Sequence, residues 1–436
     1  MLTKISFKEA FLFWLKLGFI SFGGPAGQIA IMHQHLVEKK KWISESKFLH
    51  ALNYCMLLPG PEAQQLATYT GWLMHGTIGG LTAGLLFILP SVFILLGLSI
   101  IYVTYGQLGI VTGVFDALKP AVVAIVFLAL WKIGEKALKR KIDYALAGSS
   151  LIALLLFKVP YPAVILGAIV VGILYVRFFQ PEKSTEKDKA NAITADEDSY
   201  IINRNSVIAH TRFSLNRFII QTVTFIVLWS IPFTLFYAFT SDHKFWNELS
   251  LFFTKAAFFT FGGAYSVLMY VAQFAVEKLH WLSRSQMVDG LALGETTPGP
   301  LIMVLTFVGF MGAFQHFNGS ILAASAGLVV TTYYTFFPSF VFVLLGAPVI
   351  ERTQENKNVK LALGFVTAAV VGVIANLTVF MAKAVLFPIS ISLNQINWFA
   401  LIWIVLSVLA MKKFNINMMV WIGISALVGV AKYLVF

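Results

Sequence analysis

Glycine–proline breaks inside apolar runs are the first features of this chain that could do chemistry. Phe22-Gly23-Gly24-Pro25 and Pro59-Gly60-Pro61 interrupt two early runs, and Phe261-Gly262-Gly263 and Pro298-Gly299-Pro300 interrupt two later ones. A break frees backbone N–H groups and exposes the positive end of a helix dipole, which attracts anions. In lipid, irregular backbone survives only where protein buries it or where it lines a watered cavity. Glycine and proline also serve as plain kink and packing residues of membrane helices. Two motif pairs repeated in register favour the site over the kink.

Charges inside such runs are functional candidates because burying them is costly. Lys16 and Lys255 each precede a Gly-Gly break, where two cations suit an anionic substrate. The plainer reading is a lysine that snorkels to the interface. Glu62 follows Pro61 directly, and Glu295 precedes Thr296-Thr297-Pro298. A carboxylate taken out of water binds a proton more readily, so either acid could carry coupled protons; the bland alternative is a helix cap or interhelix bond. Glu62 is the favoured coupling acid, standing where a helix resumes after the break. Gln28, Gln64, Gln65, Thr68, Tyr69, Tyr265, Thr296 and Thr297 are neutral groups that could dress an oxyanion or simply join helices. Asp116 and Lys119, one turn apart, are expected to pair with each other.

Composition dictates the elements that must hold these residues. Of 436 residues 58% are apolar and only 12% charged, with a mean hydropathy of +0.81. A soluble fold could not cover that much apolar surface. Apolar runs recur at about 10–32, 48–75, 78–103, 112–131, 144–157 and 159–179, then at 218–240, 249–275, 286–313, 320–350, 358–386, 396–411 and 415–436. About 20 helical residues span a bilayer, so nine to thirteen crossings are expected, with the short run 144–157 either tilting or stopping partway. No run alternates with period two, which excludes a β-barrel. The expected fold is an all-α polytopic membrane protein.

The chain also repeats itself. A shift of 239 residues aligns Glu9 with Glu248, Leu12 with Leu251, Lys16 with Lys255, Phe22-Gly23-Gly24 with Phe261-Gly262-Gly263, Trp42 with Trp281, and Pro59-Gly60-Pro61 with Pro298-Gly299-Pro300. Pro90-Ser91 corresponds to Pro338-Ser339 after an insertion. The expected organisation is a first repeat over 1–180, a polar cytoplasmic linker over 181–217 (181–205 too charged to fold), an extra crossing over 218–240 and a second repeat over 241–436. One extra crossing inverts the second half. The loop charges agree: Lys132, Lys136, Lys139, Arg140 and Lys141 in the first half answer to Arg352, Lys357 and Lys360 at the other end of the second. Inverted repeats with broken helices mark secondary transporters. The four basics at Lys39, Lys40, Lys41 and Lys47 favour re-entrant hairpins over single crossings for 10–32 and 48–75.

Other chemistry lacks its residues. There is no His-Glu-x-x-His helix and no phosphate loop, so neither a zinc enzyme nor an ATP-driven pump is indicated. No nucleophile–base constellation suggests catalysis, and no cofactor or metal is called for. Cys55 is the single cysteine, and His33, His35 and His50 lie in a basic stretch as interface residues without paired carboxylates. The net charge of +12 lies in short loops, which excludes nucleic acid as a partner.

Three stretches of the first half, Phe22-Gly23-Gly24-Pro25, Val37-Glu38 to Trp42, and NYCMLLPGPEAQQLATYTGW from Asn53, carry a family resemblance. TKAAFFTFGGAYSVLMYVAQ, Trp281 and MVDGLALGETTPGPLIMVLTFVGF repeat it in the second half. The chain resembles the chromate ion transporter family in its long, two-domain form, over nearly everything but the linker. The resemblance implies export of chromate across the bacterial inner membrane by a multi-pass protein, driven by the electrochemical gradient and conferring chromate resistance. Sulfate is then the expected competitor; another oxyanion carrier or an anion channel is the alternative. The expected partners are the oxyanion, the bilayer, protons and a second copy of the chain.

Overall fold

A computed structural model describes residues 5–178, 199–203, 206, 208–211, 213–350, 357–388 and 392–435. They form helices with no β-strand among the described residues. The first half holds α1 (Phe7–Ile20), α2 (Gly24–His33) with a π-helical turn Gln34–Lys39, α3 (Glu45–Cys55), α4 (Glu62–Tyr105), α5 (Gly109–Ala137), α6 (Lys141–Leu155) and α7 (Tyr161–Phe178). Then follow α8 (Leu215–Phe239), α9 (His243–Phe258), α10 (Ala264–Ala272) with a π-helical turn Gln273–Lys278, α11 (Arg284–Thr296), α12 (Val304–His316), α13 (Ile321–Ile350), α14 (Lys357–Leu386), α15 (Trp398–Lys412) and α16 (Met418–Val435). The two π-helical turns fall at positions related by the same 239-residue shift. So do the left-handed residues Lys41 and His280 that follow them.

The early runs fold back on themselves. Phe13 of α1 stacks on His35 with ring centroids 3.9 Å apart, and Lys40 lies 2.7 Å from Glu9. A continuous helix would separate residues 13 and 35 by about 33 Å. The chain therefore reverses at the Gly23-Gly24 break. The same test applies to residues 45–74. Ile202 donates to the Trp42 carbonyl at 2.9 Å, and the His210 ring meets the Trp72 carbonyl at 2.7 Å. Eight residues bridge those anchors, a reach of at most about 28 Å, whereas a rod over 45–74 would be about 45 Å long. It too is a hairpin, turning at Pro59-Gly60-Pro61. The second half repeats the first of these: Phe252 meets Phe274 and Trp281, the equivalents of Phe13, His35 and Trp42.

α4 is two limbs, because His75 and Gly76 leave helical geometry and Gly76 takes φ +65°. The limbs pack so closely that a Cβ on Gly71 would strike Gly79 and Ala83. α12 and α13 make the corresponding turn at Asn318-Gly319. Run 144–157 forms the 15-residue α6, which ends at Leu155, and Arg140 at its start lies 5.5 Å from the Tyr175 ring near the end of α7. The halves then interlock, since α6 and α7 pack on α14 while α15 and α16 pack on α5. Seven helices among the described residues are long and apolar enough to cross a membrane. The other six of the thirteen runs fall short of that length: four are divided at the glycine–proline breaks, and α6 and α15 have 15 residues each. α8 buries no residue and is the outlying extra segment, touching Thr77 through Gln221 and Trp246 through Phe236.

Residues 181–198 of the expected linker lie outside the described residues. Residues 199–203 are not a free tether: Ile201 and Ile202 donate to Lys41 and Trp42, and Ser44 donates back to Ile202. Asp116 and Lys119 do not pair with each other either. Asp116 faces Lys432 at 3.5 Å across to α16, and Lys119 faces Asp289 at 3.2 Å, because partners on other helices lie closer to each. His33, expected without carboxylates, has Glu38 and Glu45 at 3.2 and 2.6 Å, brought to it by the hairpin turn.

Candidate functional site

The breaks of one half are hydrogen-bonded to those of the other. The Gly60 N–H donates to the Thr260 carbonyl at 2.7 Å, and the Gly299 N–H donates to the Ser21 carbonyl at 2.7 Å. Shifting the first pair by 239 residues gives the second, so the contact is reciprocal. Glycine is required here for space as well as conformation. Gly60 has φ +128°, and a Cβ on it would come within 2.5 Å of Ser339 Oγ. Gly299 has φ +105°, and a Cβ would strike Ser91 Oγ. Ser91 and Ser339 follow the mid-helix prolines of α4 and α13, and Ser91 donates to the Pro298 carbonyl. Sequence comparison paired these serines without nominating them; the paired mid-helix Pro-Ser was the available signal.

Gly23, Gly24 and Gly263 differ. All have positive φ, yet a Cβ on any of them would meet nothing within 4 Å. Their requirement is backbone freedom alone. Gly262 is crowded by Val370 of α14.

Helices that start at the breaks lack side-chain caps. α2 follows Gly23, α4 follows Pro61, α10 follows Gly263 and the turn leading into α12 follows Pro300, none with a capping hydrogen bond from a side chain. By contrast α3 and α11, which start at the hairpin mouths, are capped by Ser44 and Ser283. Four helix starts without a side-chain cap therefore border the interlocked breaks, and the N–H donors of such a start suit an oxyanion.

Side chains complete the surroundings. Gln28 Nε2 donates to the Gly299 and Ser21 carbonyls at 2.7 and 3.3 Å, and Gln65 Nε2 donates to Pro59 at 2.8 Å. Gln64 Nε2 donates to Thr68 at 3.1 Å. The Oε1 atoms of all three glutamines and Ser339 Oγ are buried without a protein partner. Such groups call for water or a bound species. Glu295 is 6% exposed and accepts the Tyr265 hydroxyl at 2.8 Å. Glu62 is half-buried at the first turn of α4. The Thr296 and Thr297 hydroxyls both donate to the Leu293 carbonyl of their own helix. Pro25, Pro59, Pro61, Pro298 and Pro300 shape the breaks. Lys16 and Lys255 take no part in these bonds and stand exposed, at equivalent positions on α1 and α9. Among the described residues no cluster of histidine, cysteine or acidic side chains could hold a metal.

Comparison with known proteins follows the same two blocks. The chromate transporter family model matches residues 8–173 and 247–430. A chromate transport protein of Cupriavidus metallidurans is 27% identical over 98% of this chain and 93% of its own length. One from Pseudomonas aeruginosa is 30% identical over 87% of this chain and 82% of its own. An uncharacterised transporter of Methanocaldococcus jannaschii is 26% identical over 95% and 92%. No solved structure matches. With both repeats matched, a helical membrane architecture and interlocked breaks, the chain belongs to the chromate transporter family.

Proposed function

We propose that this protein is a secondary transporter that exports chromate, a sulfate-like tetrahedral oxyanion, across the bacterial inner membrane under the electrochemical gradient. The observation that carries the reading is the reciprocal pair of bonds, Gly60 to Thr260 and Gly299 to Ser21, which sets four uncapped helix starts around one place. The anion takes its hydrogen bonds from those N–H groups, which cost no charge to bury. Gln28, Gln64 and Gln65 hold the water that travels with it. The names of the relatives support chromate as cargo, and the same geometry accepts sulfate.

The two halves act as inverted repeats. In support, hairpin mouths of the first half gather around residues 5, 40, 44 and 75, where the chain before α8 is anchored. Those of the second half gather around Asp242, Trp281 and His316 beyond its far end. Glu62 and Glu295, each next to a Pro-Gly-Pro break, are the acids through which protons could be coupled to the anion.

Chromate uptake into everted vesicles tests this. Accumulation above the external concentration under an imposed pH gradient or membrane potential is expected. Equilibration without accumulation means a channel, and no flux with a correctly folded protein ends the chromate reading.

A further inference from the structure

Ser285, Asp289 and Thr296 recur at helical spacing along α11 from its mouth to the break, with the small Ala292 between the last two and Glu295 beside Thr296. The equivalent positions are Ser46, His50 and Asn53 on α3, all polar, and Leu57 in the turn that follows it. Each half thus sets polar groups along one helix face that leads from its mouth towards its Pro-Gly-Pro break. Their states differ. Ser46, His50 and Asn53 are part-exposed, whereas Asp289 is 4% exposed and Ala292 is fully buried where α11 packs on α5 and α14.

The α11 face is blocked by one ion pair. Lys119 of α5 reaches across the halves to Asp289 at 3.2 Å and donates to Ser285 at 2.9 Å. Tyr102, near the end of α4, donates to the other oxygen of Asp289 at 2.9 Å. Burying two charges costs desolvation that apolar residues of similar size would avoid, so a permanent interface gains little from such a pair. It suits an interface that must part and be wetted.

We propose that Lys119, Asp289 and Tyr102 form a gate that closes the α11 route to the break site while the α3 route stands open. Opening separates Lys119 from Asp289, and the freed ammonium then faces the anion's path. The inference rests on the proposed transport reading and its inverted halves, and its test reads accessibility instead of flux.

Single cysteines are placed at the equivalent positions, Asn53→Cys and Ala292→Cys, on a Cys55→Ala background. A membrane-impermeant maleimide is added to right-side-out and to everted vesicles. Asn53→Cys is expected to label from one side and Ala292→Cys to be protected from both. Adding Lys119→Gln or Asp289→Asn should raise Ala292→Cys labelling by about tenfold or more, from the side opposite to Asn53→Cys, as the closed population falls. The charge exchange Lys119→Asp with Asp289→Lys should restore protection. If the charge variants do not fold, Tyr102→Phe removes one hydrogen bond and should raise labelling about threefold. Continued protection of Ala292→Cys in folded variants overturns the gate. Increased labelling from the same side as Asn53→Cys leaves the gate standing and overturns the inversion.

Discussion

α2 and α10 are the same element of two repeats, yet they live in different surroundings. α2 buries only Gln28 and Met32, while α10 buries every residue except Tyr265. The difference is written in side-chain volume: Ala26, Ala30 and Ile31 of α2 stand where α10 has Tyr265, Met269 and Tyr270. Small residues leave a groove of about 560 Å³ beside α2 and α3, whose lining includes Ala26, Ala30, His33 and Phe48. Bulky ones press α10 against α14. The mouths differ likewise. Glu277 and Arg284 pair directly at 3.3 Å in the second half, whereas in the first His33 stands between Glu38 and Glu45. The backbone skeleton has been kept and its two copies specialised, one loosely covered and one sealed.

The strongest way to break that comparison is at the glycines both halves share. Gly60→Val and Gly299→Val should fail alike, because each inserts a side chain into a serine-filled contact at positive φ. Overpacking and strain together should cost about 3 kcal/mol or more. Little folded protein should survive detergent extraction and size exclusion. Gly24→Val and Gly263→Val meet open space, so strain alone should cost about 1–3 kcal/mol. These variants should fold with a lowered melting temperature and impaired chromate uptake. Equal folded yields for all four would show that the interlocked breaks do not support the fold.

A smaller effect should separate the two acids. Tyr265 and Glu295 exist only in the second half, their equivalents being Ala26 and Met56. Tyr265→Phe leaves a buried carboxylate short of one donor, a loss of about 1–2 kcal/mol, and should lower transport about tenfold. Glu62 has a helix start and no such tether in the equivalent place. Glu62→Gln should flatten the dependence of chromate flux on pH between about 5.5 and 8.5, because it removes the group proposed to take up and release the coupled proton. Glu295→Gln should reduce flux at every pH while keeping the profile's shape. If both variants retain the wild-type profile, the membrane potential alone drives the anion.

Much of this architecture was legible in the residues. The 239-residue register located both pairs of breaks, and the lysines after the first break pointed to hairpins, which the Phe13–His35 and Lys40–Glu9 contacts bear out. Two kinds of information were not local enough to read. Partners chosen across the halves, such as Lys119 with Asp289 in place of Asp116, depend on how α5 meets α11 in space. The reason for each glycine also escaped, because positive φ at Gly24 and close approach at Gly60 leave the same letter in the sequence. The end of the linker misled for a related reason: all its acids and lysines lie before residue 199, and the backbone of residues 201 and 202 bonds to residues 41–44 whatever the preceding composition.

The smallest effect is expected where the halves do not differ at all. Glu9, Leu12, Lys16 and Phe19 are exposed along one face of α1, and Glu248, Leu251, Lys255 and Phe258 along the matching face of α9. Two cations so placed first suggested a pair of anion ligands. Their setting argues otherwise. Lys16 lies close enough to His35 that its charge, after burial and Lys40, helps hold that ring below the ordinary histidine pKa. His35 stacks on Phe13, one turn nearer than Lys16 to the hairpin mouth. An exposed lysine in such a setting behaves as a snorkelling one, its stem on the apolar face and its ammonium at the interface. Lys16→Gln and Lys255→Gln should each change chromate affinity by less than about threefold, the scale of a solvated charge lost. A loss of tenfold or more, seen in both variants at unchanged protein level, would put these lysines on the anion and make the outward faces of α1 and α9 part of its path.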